Sequence, residues 1–111
     1  MNRAFLTAVL SLLCLAPLGV RAEASPPPIA PGTPYAAARE ALLRDGWQPL
    51  RDPEADACGA TERRCTGRPE MVACAGTGEA PCIFAWQRGG VAIEVITRGE
   101  ETTVAALRTR R

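Results

Sequence analysis

The sequence predicts an α+β fold: one N-terminal amphipathic helix packed on a small antiparallel three-stranded meander, stapled by two disulfides. Three observations predict it. Residues 34–45 repeat apolar side chains at helical spacing. Residues 82–108 hold short β-rich runs separated by glycine turns. Four cysteines lie within residues 58–82, between the helical run and the β-rich runs. One helix followed by consecutive hairpin-joined strands closes as two layers around a single core, and 111 residues allow one small domain.

Residues 1–22 read as a secretory signal peptide. Arg3 supplies the positive start, and Ala4 to Leu18 is apolar apart from Thr7, Ser11 and Pro17. Val20-Arg21-Ala22 places small residues for cleavage before Glu23, and Ala22-Glu23-Ala24 offers a second cut before Ser25. The apolar run is shorter than the ~20 residues that span a bilayer. Cys14 invites a lipoprotein reading, which the bulky Leu13 before it opposes.

Residues 23–33 form a Pro-rich linker. Pro26-Pro27-Pro28 and Pro31 lack the N–H that a helix or central strand requires, so the segment is expected extended and semi-rigid. The domain proper spans 34–111. Thr33 is the expected N-cap and Pro34 the first helical residue. Tyr35, Ala38, Ala41 and Leu42 share one face, with Arg39, Glu40 and Arg44 mostly opposite. Gly46 suits the left-handed position after the helix, and Trp47 then packs back on Leu42. Pro49 prevents continuation.

Residues 51–69 are polar and contain Pro53, Gly59, Gly67 and Pro69, which predicts a long loop. Residues 69–73 form a short apolar turn, helical or strand-like. Cys82 to Gln87 is the first strand of the meander, Arg88-Gly89-Gly90 a hairpin turn, and Val91 to Thr97 the second strand. After Gly99-Glu100-Glu101, Thr102 to Arg108 is the third. Phe84, Trp86, Ile93 and Val95 are expected beneath the helix face of Tyr35, Ala38 and Leu42. Trp47 and Trp86 have the spacing of core residues rather than interface anchors.

Loss of residues 1–22 removes Cys14 and leaves Cys58, Cys65, Cys74 and Cys82. An even count in a short exported chain reads as a disulfide framework. Zinc binding is the competing reading, but there is no Cys-x-x-Cys pair and no His. Neighbour pairing, Cys58–Cys65 and Cys74–Cys82, is expected because each pair flanks a Gly-containing polar loop. Each closure contributes about 2.5 kcal/mol in the chain-entropy model.

Composition excludes several functions. Export takes Arg3 and Arg21 from the 13 arginines and none of the 12 acidic residues, so 11 against 12 leaves a net charge of −1. Nucleic-acid binding requires a basic face, and none is expected. There is no His and no Lys, so Ser–His, Cys–His and Schiff-base chemistry lack their partners. Paired carboxylates among Glu70, Glu79, Glu94, Glu100 and Glu101 are the remaining catalytic option, and solvated strand faces and turns explain them more simply. No catalytic residue, metal or cofactor is expected.

The stretch from Pro31-Gly32-Thr33-Pro34-Tyr35 through Gly46-Trp47-Gln48-Pro49, Pro69-Glu70, Cys74-Ala75-Gly76-Thr77-Gly78 and Cys82-Ile83-Phe84-Ala85-Trp86 resembles a group of small secreted bacterial proteins. Their pattern runs G-x-x-Y-x-x-A-R, G-W-x-P, then P-E-x-x-x-C-x-G-T-G-x-x-x-C-x-F-x-W. The resemblance spans nearly the whole exported chain and implies a compartment and a fold but no activity. Gly32 to Gly46 is also similar to the helical start of PASTA domains, modules associated with cell-wall fragments, from which the cysteine loops depart.

The expectation is a periplasmic or secreted bacterial module that is not an enzyme and binds a protein or cell-envelope component. It would meet the membrane only through its signal peptide. Alternatives are a cell-wall-fragment binder and an inhibitor of a secreted hydrolase. The expected working surface is the loop closed by Cys74 and Cys82, with Gly76, Thr77, Gly78 and Glu79 at its tip. A closed loop is pre-organised, which lowers the entropy cost of binding. Arg88 and Arg98 are added as contacts for anionic groups.

Overall fold

Residues 25–111 are described by a computed structural model. The signal peptide and its cleavage sites lie outside the described residues. The helix α1 spans Tyr35–Arg44. It begins one residue later than expected, because Pro34 is extended (φ −56°, ψ 135°) and acts as the cap. The Pro34 carbonyl accepts from the N–H groups of Ala37 (3.0 Å) and Ala38 (3.1 Å). Thr33 is not the cap: its hydroxyl donates to the Ala30 carbonyl at 2.6 Å.

The helix stop follows the expected design. Gly46 has φ +82°. The Trp47 N–H donates to the Leu42 carbonyl (3.0 Å) and the Gly46 N–H to that of Leu43 (3.1 Å), the two bonds of a Schellman end. Trp47 and Leu42 are both buried in the core.

The sheet has five strands, not three: β1 (Gln48–Pro49), β2 (Met71–Cys74), β3 (Cys82–Arg88), β4 (Val91–Arg98) and β5 (Thr103–Thr109), all paired antiparallel. The expected meander is β3-β4-β5. The two extra strands share the outer edge of β3: β1 sets Gln48 opposite Gln87, and β2 sets Cys74 opposite Cys82. Strands of two and four residues are too short for a periodic signal. Pro49 is tolerated because an edge position needs no donor on its free side. Gly89 and Gly90, both at positive φ, close the β3–β4 hairpin, the requirement of a type I′ turn.

The front face of the sheet receives the helix. Tyr35, Ala38 and Leu42 join Phe84, Trp86, Ile93 and Val95 in one buried cluster, and the Tyr35 and Phe84 rings stack at 3.9 Å. The back face carries Ile83, Ala85 and Ile96 beside a charged group. Glu94 accepts from Arg108 Nε at 2.8 Å, and Arg110 pairs with Asp52 and lies 3.6 Å from Glu94. Asp52 follows β1 and Arg110 follows β5, on opposite edges, so this chain of charges straps the back.

Residues 29–34 lie on the β5 edge. Ile29 packs against the core, and Gly32 and Thr33 exchange backbone bonds with Val104 at 2.7 and 2.8 Å. A proline-bearing cover of this kind blocks further strand pairing there.

Candidate functional site

The loop of residues 75–81 joins β2 to β3. Cys74 and Cys82 face each other in register and are bonded, as Cys58 and Cys65 are. Two disulfides fit the oxidising environments in which such bonds form and persist, and no described helix is long and apolar enough to cross a membrane. Just inside the bridge the Ala75 N–H donates to the Pro81 carbonyl at 2.8 Å, and the Ala80 N–H closes a turn on Thr77 at 3.1 Å. Residues 76–79 are exposed.

A side chain from the other bridged loop sets the shape. Arg64 is 4% exposed. Its Nη1 donates to the carbonyls of Ala75 (2.9 Å) and Ala80 (3.0 Å), one at each end of the loop. Its Nε and Nη2 grip the Glu62 carboxylate at 2.8 and 2.7 Å. Arg64 beside Glu62 holds that carboxyl down to about 2, and the Glu62 hydrogen bond in turn raises the guanidinium pKa. On the far side the Gly99 N–H donates to the Glu79 carbonyl at 2.7 Å, which ties the loop to the β4–β5 turn. Within this frame Ala80 adopts φ +49°, a left-handed conformation that costs an L-residue about 1–2 kcal/mol.

Of the sequence-predicted contacts, Gly76, Thr77, Gly78 and Glu79 form the loop tip, and Arg98 is exposed beside it at the end of β4. Arg88 is elsewhere. It sits opposite Val91 at the hairpin, about 23 Å along the strand from Arg98 at ~3.3 Å per residue. There Nη1 pairs with Asp45 Oδ2 at 3.1 Å, an atom that also accepts from Trp47 Nε1. The sheet thus has a loop pole and a hairpin pole.

A second polar group lies beneath the helix. The fully buried Glu70 carboxylate accepts from the Tyr35 hydroxyl (2.8 Å) and Arg39 Nε (2.7 Å), and Trp86 Nε1 donates to the Tyr35 oxygen at 3.1 Å. Burial, then the Glu70 charge, pushes the Tyr35 phenol well above its ordinary value of 10.0, so it stays protonated. Glu70 faces the helix and Glu94 the back of the sheet, so these two carboxylates cannot flank one scissile bond.

No sequence pattern marks Arg64, and Glu70, expected among the solvated carboxylates, is instead fully buried, since both lie in irregular chain where charged residues are ordinarily solvated. One signal was available for Glu70. Tyr35 and Trp86 were both expected in the core, and a buried O–H and N–H require a polar partner there.

Comparison with protein-family models, with curated proteins and with solved structures finds no match.

Proposed function

We propose that this chain is an exported, non-enzymatic binding module of the bacterial periplasm or exterior. Its 75–81 loop engages a protein or another cell-envelope component. The observation that carries the reading is the mounting of the loop: an exposed tip held by a disulfide, by Arg64 on both ends and by Gly99. A loop fixed before it meets a partner loses little conformational entropy on binding. The signal-peptide pattern supports the compartment, and the likeness to small secreted bacterial proteins supports its origin. N-terminal sequencing of the exported chain is expected to begin at Glu23 or Ser25.

The test of function is site-directed photocrosslinking in envelope extract. A crosslinker at Thr77 is expected to trap a partner that one at Gln87, on the hairpin pole, does not. Retention on insoluble peptidoglycan would single out a wall-fragment binder, and capture of a secreted hydrolase with loss of its activity would single out an inhibitor. Equal trapping from both positions would overturn the loop as the working surface.

A further inference from the structure

Arg39, Arg64, Arg88, Arg108 and Arg110 each pair with a carboxylate. Arg68 pairs with none among the described residues, although it is half-buried. Its guanidinium carbon lies 4.7 Å from the Tyr35 ring centroid, and its Nη1 donates to the Arg64 carbonyl at 2.7 Å. The ring and this bond fix the guanidinium plane, while Nε and Nη2 remain without a partner among the described residues. The acid two residues on, Glu70, is already taken by Tyr35 and Arg39.

Arg68 lines a groove of about 450 Å³ between residues 51–58 and 68–71, within the ~300–1,000 Å³ range of small-ligand sites. Arg51 stands on the same groove, exposed and likewise without an ionic partner among the described residues. Pro53, Ala55, Pro69 and Met71 give it apolar walls. Two acids also line it. Asp52 is neutralised by Arg110, and Asp56 is exposed. Two arginines against one unpaired carboxylate leave the groove cationic. We propose that this groove binds a carboxylate carrying an apolar substituent, as the last residue of a peptide or as a free organic acid. A planar guanidinium with two free donors matches a planar carboxylate, and the apolar walls take the substituent. The site shares no contact surface with the 75–81 tip and stands independently of it.

The test is an NMR titration of the exported, disulfide-bonded protein with N-acetyl-alanyl-leucine, its C-terminal amide, hexanoate and inorganic phosphate. Saturable shifts at Arg51, Arg68 and Met71 are expected with the free acids and not with the amide. Arg51→Gln is expected to weaken binding about tenfold, the loss of one charge-assisted contact, while Arg44→Gln, exposed at the end of α1, leaves it unchanged. Arg68→Lys, which keeps the charge and loses the fork, is expected to weaken it similarly; if that variant fails to fold, the exposed Arg51 decides. Tighter peptide than hexanoate binding assigns a peptide end, and equal binding a free acid; each upholds the site. Equal binding of acid and amide, undiminished affinity in Arg51→Gln, tighter binding of phosphate than of either acid, or no saturable shift at millimolar ligand overturns it.

Discussion

The two disulfide-closed loops are nearly equal in length and opposite in use. Cys58–Cys65 encloses a segment exposed at residues 59–61 and 63 that sends one side chain inward: Cys65 is buried and Arg64 reaches beneath its neighbour. Cys74–Cys82 encloses a segment that turns outward, with residues 76–79 exposed and only the Cys82 end sunk in the core. Loop closure of similar size gives either one a similar chain-entropy contribution, so a difference in total stability must come from what the freed ends lie against. The difference lies in what each closed segment does with its polar groups. The first uses a guanidinium to satisfy carbonyls of the second, so one loop is the mount and the other is what is mounted.

The largest expected effect comes from removing the bridges. Cys74→Ala with Cys82→Ala is expected to cost about 2–4 kcal/mol in denaturant unfolding, since loop entropy is released beside Phe84 and Trp86. Cys58→Ala with Cys65→Ala is expected to cost less globally while loosening both loops. Equal losses would erase the distinction between them. Arg64→Gln comes next, at about 1–3 kcal/mol, because two carbonyls and Glu62 lose their donor. Faster amide exchange in residues 75–81 is its signature, and Arg63→Gln, exposed next door, is the control. No change in that exchange would mean the mount is not Arg64.

Gly46→Ala calibrates both against a site outside the loops. The added Cβ meets nothing closer than 3.8 Å, so the expected loss of about 1 kcal/mol reflects positive φ alone. An unchanged melting temperature would exclude the Schellman end. The smallest effect is set by pH. A carboxyl lowered by folding contributes fully above its unfolded value and loses that contribution as pH falls through its folded one. The Glu62–Arg64 grip should therefore hold below 4.5 and release near 2. NMR signals of residues 75–81 are expected to move with that midpoint, and a midpoint at 4.5 would show that Glu62 is not held.

The helix, its Gly46–Trp47 stop, the meander and both bridges were legible because each repeats a local rule: apolar spacing, a glycine after an amphipathic run, an even cysteine count. The missed parts obey no local rule. β1, and the choice of strand for β2 where the sequence left helix or strand open, follow from an unfilled edge of β3, which is a property of the assembled sheet. Thr33 carries a capping side chain but was overruled by the pairing of residues 32–34 with β5. The loop tip could be named from its cysteines, while Arg64, which mounts it, came from a stretch that reads as solvated. Arg88 and Arg98 look equivalent in sequence, and only strand direction sends them to opposite poles.

That polarity bears on how the molecule can be handled and displayed. Ser25 and Pro26 border a depression shared with Gly90, Val91 and Thr109, and Arg110 bonds to Ala92, so both ends of the described chain emerge beside the hairpin. The 75–81 tip faces the other way. A dye, bead or fusion partner joined at either end would leave the tip facing outward, whereas a graft into residues 88–91 would crowd the chain ends and leave the tip bare.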